Sequence, residues 1–168
     1  MENQEIYEFQ VHMTAKDLWH FSMHHTNKGY LGIFNILFTL ASLYLLITTW
    51  NQNTVPYRIM LVFCVTIFTV LQPGQLYLKA KKQASLAVMK EPIHYTFTRE
   101  TICIAQADQQ QELTWDQIGR VEKGTGMLII YMDRIHAYLI TDEAMGEQKE
   151  NFCTMLKDVL PKERCKRI

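Results

Sequence analysis

His20 and His24 are the first residues whose types and spacing suggest chemistry. Four positions apart in "DLWHFSMHH", they share one face of a helix, where two imidazoles can hold a zinc ion. Such a site needs further donors. The glutamate that would follow the first histidine in a His-Glu-x-x-His hydrolase is Phe21 here, and the sequence offers no obvious third ligand. The pair is a weak candidate for a metal-dependent enzyme, set against the plainer expectation of histidines on the polar face of an interfacial helix. "KGTGM" (123–127) has the glycines of a phosphate loop but lacks a following Gly-Lys-Ser/Thr and opens into an apolar strand, so a hairpin turn is expected. Cys64, Cys103, Cys153 and Cys165 form no Cys-x-x-Cys pair and read as unpaired thiols. No serine or cysteine has a recognisable base, and no two carboxylates stand out as an acid–base pair. The expectation is a protein with no catalytic residues and no cofactor.

The remaining candidates are contact residues. Lys28, Lys79, Lys81 and Lys82 flank apolar segments, where each basic side chain contributes about 1 kcal/mol toward an anionic leaflet. Asn35 is the one strongly polar side chain inside the first apolar segment and a candidate for hydrogen bonding between helices or subunits. Trp115 and Asp116 are read first as a core anchor and a turn residue, and second as a partner-binding edge. Lys162, Arg164, Lys166 and Arg167 make a basic tail, interrupted by Glu163 and expected to be solvated.

Charge segregation dictates the elements that must position these residues. Seventeen basic and seventeen acidic side chains cancel, so no global field attracts nucleic acid. Yet no charged residue lies between Lys28 and Arg58, or between Arg58 and Lys79. Residues 30–50 would span about 31 Å as a helix, the thickness of a hydrocarbon core, with Tyr30 and Trp50 at its ends. A second span is expected over about 58–78, with a kink or helix end at Gln72-Pro73-Gly74-Gln75. The basic residues before and after these segments place both termini in the cytoplasm and the connecting turn outside. The amino terminus lacks the basic and apolar regions of a cleavable signal.

Before the hairpin, "IYEFQVHM" (6–13) alternates as a strand, and Thr14 with Asp17 caps an amphipathic helix expected at headgroup level. After it, "KAKKQASLAVM" continues as helix to Glu91-Pro92. Strands follow at 93–98 and in "TICIAQ", then a polar loop "ADQQQ", then "ELTWDQIGRVEK", "MLIIYM" and "AYLIT", with a turn at Asp133-Arg134. Thr141 or Asp142 would cap a closing amphipathic helix, "EAMGEQKENFCTMLKDVL". The expected units are 1–29, an N-terminal strand and interfacial helix; 30–78, the hairpin; and 79–168, a cytoplasmic module.

This order, with "YTFTRETICI", "LTWDQIGRV" and "LIIYMDRIHAYLI", resembles the YcxB-like membrane proteins. The resemblance rests on Tyr95 and Phe97, on Thr114-Trp115-Asp116 with Ile118 and Val121, and on Tyr131 with Leu139-Ile140. Thr101 stands where such modules commonly have glycine. The resemblance implies an α+β membrane protein, a two-helix transmembrane hairpin joined to a small antiparallel pleckstrin-homology-like sheet or barrel with a C-terminal capping helix. It carries no biochemical activity. The function expected is a non-catalytic bacterial inner-membrane protein presenting an interaction or regulatory module toward anionic lipid headgroups or a membrane or cytoplasmic protein, with homo-oligomerisation left open. An immunity or envelope-stress factor and a metal-dependent enzyme using His20 and His24 are the alternatives.

Overall fold

The computed structural model describes residues 5–133 and 136–166; Arg134 and Arg167 lie outside them. Strand β1 (Tyr7–Val11) turns Phe9 and Val11 inward and Glu8 and Gln10 outward. Thr14 then caps α1 (Ala15–Thr26): its hydroxyl accepts from the Asp17 N–H at 3.2 Å, and its own N–H donates to the Asp17 carboxylate at 3.0 Å. Two helices follow that are long and apolar enough to cross a membrane, α2 (Tyr30–Thr48) and the continuous Val55–Ala84. Only 11% and 6% of their apolar windows are buried.

The second helix does not end at Pro73. It runs as α3 (Val55–Thr66), a π-helical turn (Ile67–Leu71) and α4 (Gln72–Ala84). At the junction the Gln72 N–H reaches back five residues to the Ile67 carbonyl. A widened turn gives the proline ring room that an α-helical turn would deny it, so the helix passes through Pro73 rather than breaking.

After the short α5 (Ala87–Lys90), β2 (Ile93–Phe97) pairs antiparallel with β1, Phe9 opposite Tyr95 and Val11 opposite Ile93. The helical hairpin is therefore inserted between two paired strands, and the strand expected in the unit 1–29 shares a sheet with residues of the unit 79–168. Strands β3 (Thr101–Gln106) and β4 (Gln109–Thr114) complete this sheet in the order β1-β2-β3-β4. The glutamines expected in a loop belong to β4, and the turn is Ala107–Asp108, with Ala107 at φ 52°. No glycine is needed between β2 and β3, because the Thr98 hydroxyl accepts from the N–H groups of Glu100 and Thr101 at 3.2 and 2.9 Å.

The second sheet has the order β7-β6-β5-β8, from β5 (Arg120–Gly124), β6 (Met127–Tyr131), β7 (Ala137–Thr141) and β8 (Cys165–Lys166), the last pairing parallel with β5. The closing helix expected from Thr141 is interrupted at Gly146, φ 48°, into α6 (Asp142–Met145) and α7 (Lys149–Val159). Helix α7 sets Phe152, Met155 and Leu156 against the core between the sheets, the Phe152 ring 4.9 Å from Phe9 and 4.8 Å from Phe97. The architecture is α+β: two sheets, a helix against their shared core, and a protruding helical hairpin.

Candidate functional site

Strand β6 is buried at every position. Leu128 and Ile130 face the core between the sheets; Met127, Ile129 and Tyr131 face Leu18 of α1 and Ala80 of α4. A sheet covered on both faces needs no polar alternation, which explains "MLIIY". Helix α1, expected at headgroup level, is thus a structural layer. It packs along α4, with the Trp19 indole donating to the Pro73 carbonyl at 3.1 Å and its ring edge-on to Tyr77 at 6.2 Å.

At one end of this layer β5 turns Val121 into the core and Glu122 toward the helices. The Glu122 side chain is 5% exposed yet meets three basic groups: the Lys28 ammonium in a hydrogen-bonded ion pair, Arg120 Nε at 3.2 Å and His24 Nε2 at 3.7 Å. The Arg120 guanidinium lies 4.1 Å from the centre of the Tyr131 ring, and the Lys28 ammonium 5.6 Å. Burial alone pushes the Glu122 carboxyl up, but the hydrogen bond and charge of Lys28, with the charges of Arg120 and His24, outweigh it and hold the group below the ordinary carboxylate range. Desolvation beside the Glu122 charge raises the Tyr131 phenol, against the Arg120 contact.

This arrangement ties the end of α1 and the start of α2 to the second sheet through charge. It has the character of a latch. It also redistributes the residues singled out in the sequence. Lys28 is engaged with Glu122 rather than extended toward a headgroup. His24 turns to Glu122, while the His20 ring lies 5.2 Å from that of Trp19. Among the described residues no group of three or more histidine, cysteine, aspartate or glutamate side chains could hold a metal ion. The four cysteines are free.

Among the described residues no hydrogen bond joins Asn35 to the second helix. Its amide donates to Asn27 Oδ1 at 3.3 Å, in the turn before its own helix. Trp115 is 6% exposed, stacked on Phe97 at 6.1 Å, with its indole donating to the Thr98 carbonyl at 3.0 Å. It anchors the core; Asp116 beside it is exposed. Arg164, read as part of a solvated tail, donates to the Ile118 carbonyl at 3.2 Å. Lys79, Lys81 and Lys82 are exposed on α4.

Glu122, Arg120 and Tyr131 were not legible as a site. Arg120 and Glu122 share a strand parity and read as a solvent face. The signal that could have exposed them is Met127, Ile129 and Tyr131, three large apolar or aromatic residues on a face that would otherwise meet water.

Comparison with curated proteins and with solved structures gave no match. The family model described as YcxB-like protein matches residues 97–155. That segment runs from the end of β2 through both sheets into α7, over the core anchored by Phe97, Trp115 and Phe152. Over that segment the chain is similar to the YcxB-like proteins.

Proposed function

We propose that this chain is a non-catalytic integral protein of the bacterial cell membrane, carrying a pleckstrin-homology-like interaction or regulatory module on the cytoplasmic face. The observation that carries this reading is the outward apolar surface of the hairpin. Leu37, Ile47, Ile59 and Val70 are 60%, 69%, 64% and 61% exposed. Water would penalise such a surface by roughly 25 cal/mol per Å2, whereas hydrocarbon accepts it. The lipid-facing part is α2 together with residues 55–71, because from Pro73 onward the second helix is covered by α1. At 1.5 Å per residue these stretches run about 25–28 Å, close to a hydrocarbon core.

The module then stands directly under the leaflet, with Lys79, Lys81 and Lys82 on α4 toward the cytoplasm, as the excess of basic residues on that side requires. The exposed strand β4 and these lysines are the surfaces available to anionic headgroups or to a protein partner.

Topology tests the reading. In a background with Cys64, Cys103, Cys153 and Cys165 replaced by serine, Asn53→Cys should react with an impermeant maleimide in intact cells. Gln110→Cys should react only after permeabilisation. Labelling of both from outside, or release of the full-length protein from membranes by alkaline carbonate, overturns it.

A further inference from the structure

We infer that the groove between α2 and the π-helical turn binds one uncharged, hydroxyl-bearing glyceride lipid, its head held by Asn35 and Asn27. The inference rests on the membrane reading above and goes beyond it by naming a ligand. The groove encloses about 320 Å3 and lies where α2 leaves the module. Its polar part is formed by Asn27, Asn35, Thr39 and Thr69; Ile36, Leu40 and Phe68 supply the apolar part.

The valences of the polar groups select the ligand. Thr39 and Thr69 donate their hydroxyls to carbonyls of their own helices, those of Asn35 and Val65, both at 2.8 Å, and retain only acceptor capacity. Asn35 gives one N–H to Asn27. Among the described residues no hydrogen bond reaches its side-chain oxygen Oδ1 or uses its second side-chain N–H. Asn27 directs its own amide at the Met23 sulfur at 4.0 Å, a weak contact. The groove therefore presents a free acceptor and free donors side by side, in a place where hydrocarbon offers an amide nothing. A hydroxyl both gives and accepts, and an ester carbonyl accepts, so a glycerol head with a free hydroxyl matches both.

Charge excludes the commoner headgroups. No charged residue lines the groove, and the nearest cation in sequence, Lys28, is paired with Glu122. A phosphate there would lose water without gaining a counter-ion. Depth agrees: Asn35 lies five residues beyond Tyr30, about 7 Å inside the span, deeper than a charged phosphate settles but within reach of an uncharged glycerol head. Ile36, Leu40 and Phe68 then continue as a wall for the first methylenes of an acyl chain. The π-helical turn shapes this wall, since Phe68 and Thr69 lie within it.

The test uses full-length protein in nanodiscs of dioleoylphosphatidylcholine, alone or with dioleoylglycerol or dioleoylphosphatidic acid, ejected and weighed by native mass spectrometry. The wild type should retain one dioleoylglycerol and show no preference for phosphatidic acid. Asn35→Leu should weaken retention by about fivefold, the scale of one hydrogen bond in a bilayer. Leu40→Trp, which fills the tail end of the groove from an exposed position, should do the same without touching the amides. Retention at the wild-type level by both variants, or a preference for phosphatidic acid, overturns the inference. So does a wild-type dimer that Asn35→Leu converts to a monomer, since a second copy would then occupy the groove. Protein that stays dispersed without detergent or lipid sinks the membrane reading itself; protein that resides in the nanodisc but retains no glyceride sinks only this inference.

Discussion

Glu122 is held by charge rather than by packing, and its behaviour with pH follows. Its folded value lies below its ordinary value of 4.5, so it contributes stability that is fully present above that value. The contribution is lost as the pH falls through the lower, folded value. Glu122→Gln would leave Lys28 and Arg120, which are 38% and 32% exposed, facing each other across a neutral amide. Because both cations reach water, the loss is about 1–2 kcal/mol, less than for a fully buried pair. We expect a lower denaturation midpoint in detergent at neutral pH, and a flatter acid limb than the wild type below about pH 4.5. An unchanged midpoint would show that the cluster is solvated and holds nothing. At this scale the sequence reveals types but not pairings. Trp115 is recognisable as a core residue from its size, whereas the bond from Lys28 to Glu122 spans 94 positions and follows from no local pattern. Arg164 is similar: a basic tail residue looks solvated until β8 brings it to the Ile118 carbonyl.

The helices and strands were more readable than the pairs. Periodicity and caps indicate β1, α1, α2 and the strands after Glu91, because each carries its signal within a few residues. Structure departs from local pattern where a neighbour overrides local preference. The glutamines of β4 have little strand propensity of their own and are drawn into register by β3, Ile104 opposite Gln111 and Ala105 opposite Gln110. Pro73 is accommodated by a turn wound one residue wider. Gly146 divides what periodicity alone would join. Gly32 shows the reverse, a small residue with a large consequence. A Cβ there would collide with the backbone carbonyl of Asn27, so the turn between α1 and α2 can fold against α2 only with glycine at this position. Gly32→Ala should cost roughly 1–3 kcal/mol, the usual scale of overpacking, and shift the Asn27–Asn35 contact. The denaturation midpoint in detergent measures it, and a change smaller than that of Ala41→Gly, on the same helix but exposed, would contradict the close approach.

Over the whole molecule, the sandwich takes its first strand from before the hairpin and the rest from after it. Phe9 and Val11 contribute to the same core as Phe97, Trp115 and Phe152, so residues 90–168 alone lack both an edge strand and part of the core. We expect that fragment to aggregate or unfold without cooperativity, its exposed β2 edge available for intermolecular pairing. Joining residues 5–26 to residues 72–168 through a flexible glycine-serine linker returns β1 together with the α1 and α4 layer over Met127, Ile129 and Tyr131, and should restore a cooperatively melting domain. Equal stability of the two would show that β1 and this layer are dispensable. The sequence does not disclose this, because a strand followed by some eighty residues of other structure gives no local indication of its partner.

On the membrane reading proposed above, the ladder between Val11 and Ile93 also imposes an order on biosynthesis. The first strand leaves the ribosome long before the second, and must wait unpaired while the hairpin is made and inserted. Its partner reaches it only if the polypeptide has crossed an even number of times, returning to the compartment it left. A chain whose second crossing failed would strand Phe9 and Tyr95 on opposite faces of the bilayer, leaving two ragged edges for quality-control proteases. Closure of the ladder thus reports that insertion has been completed.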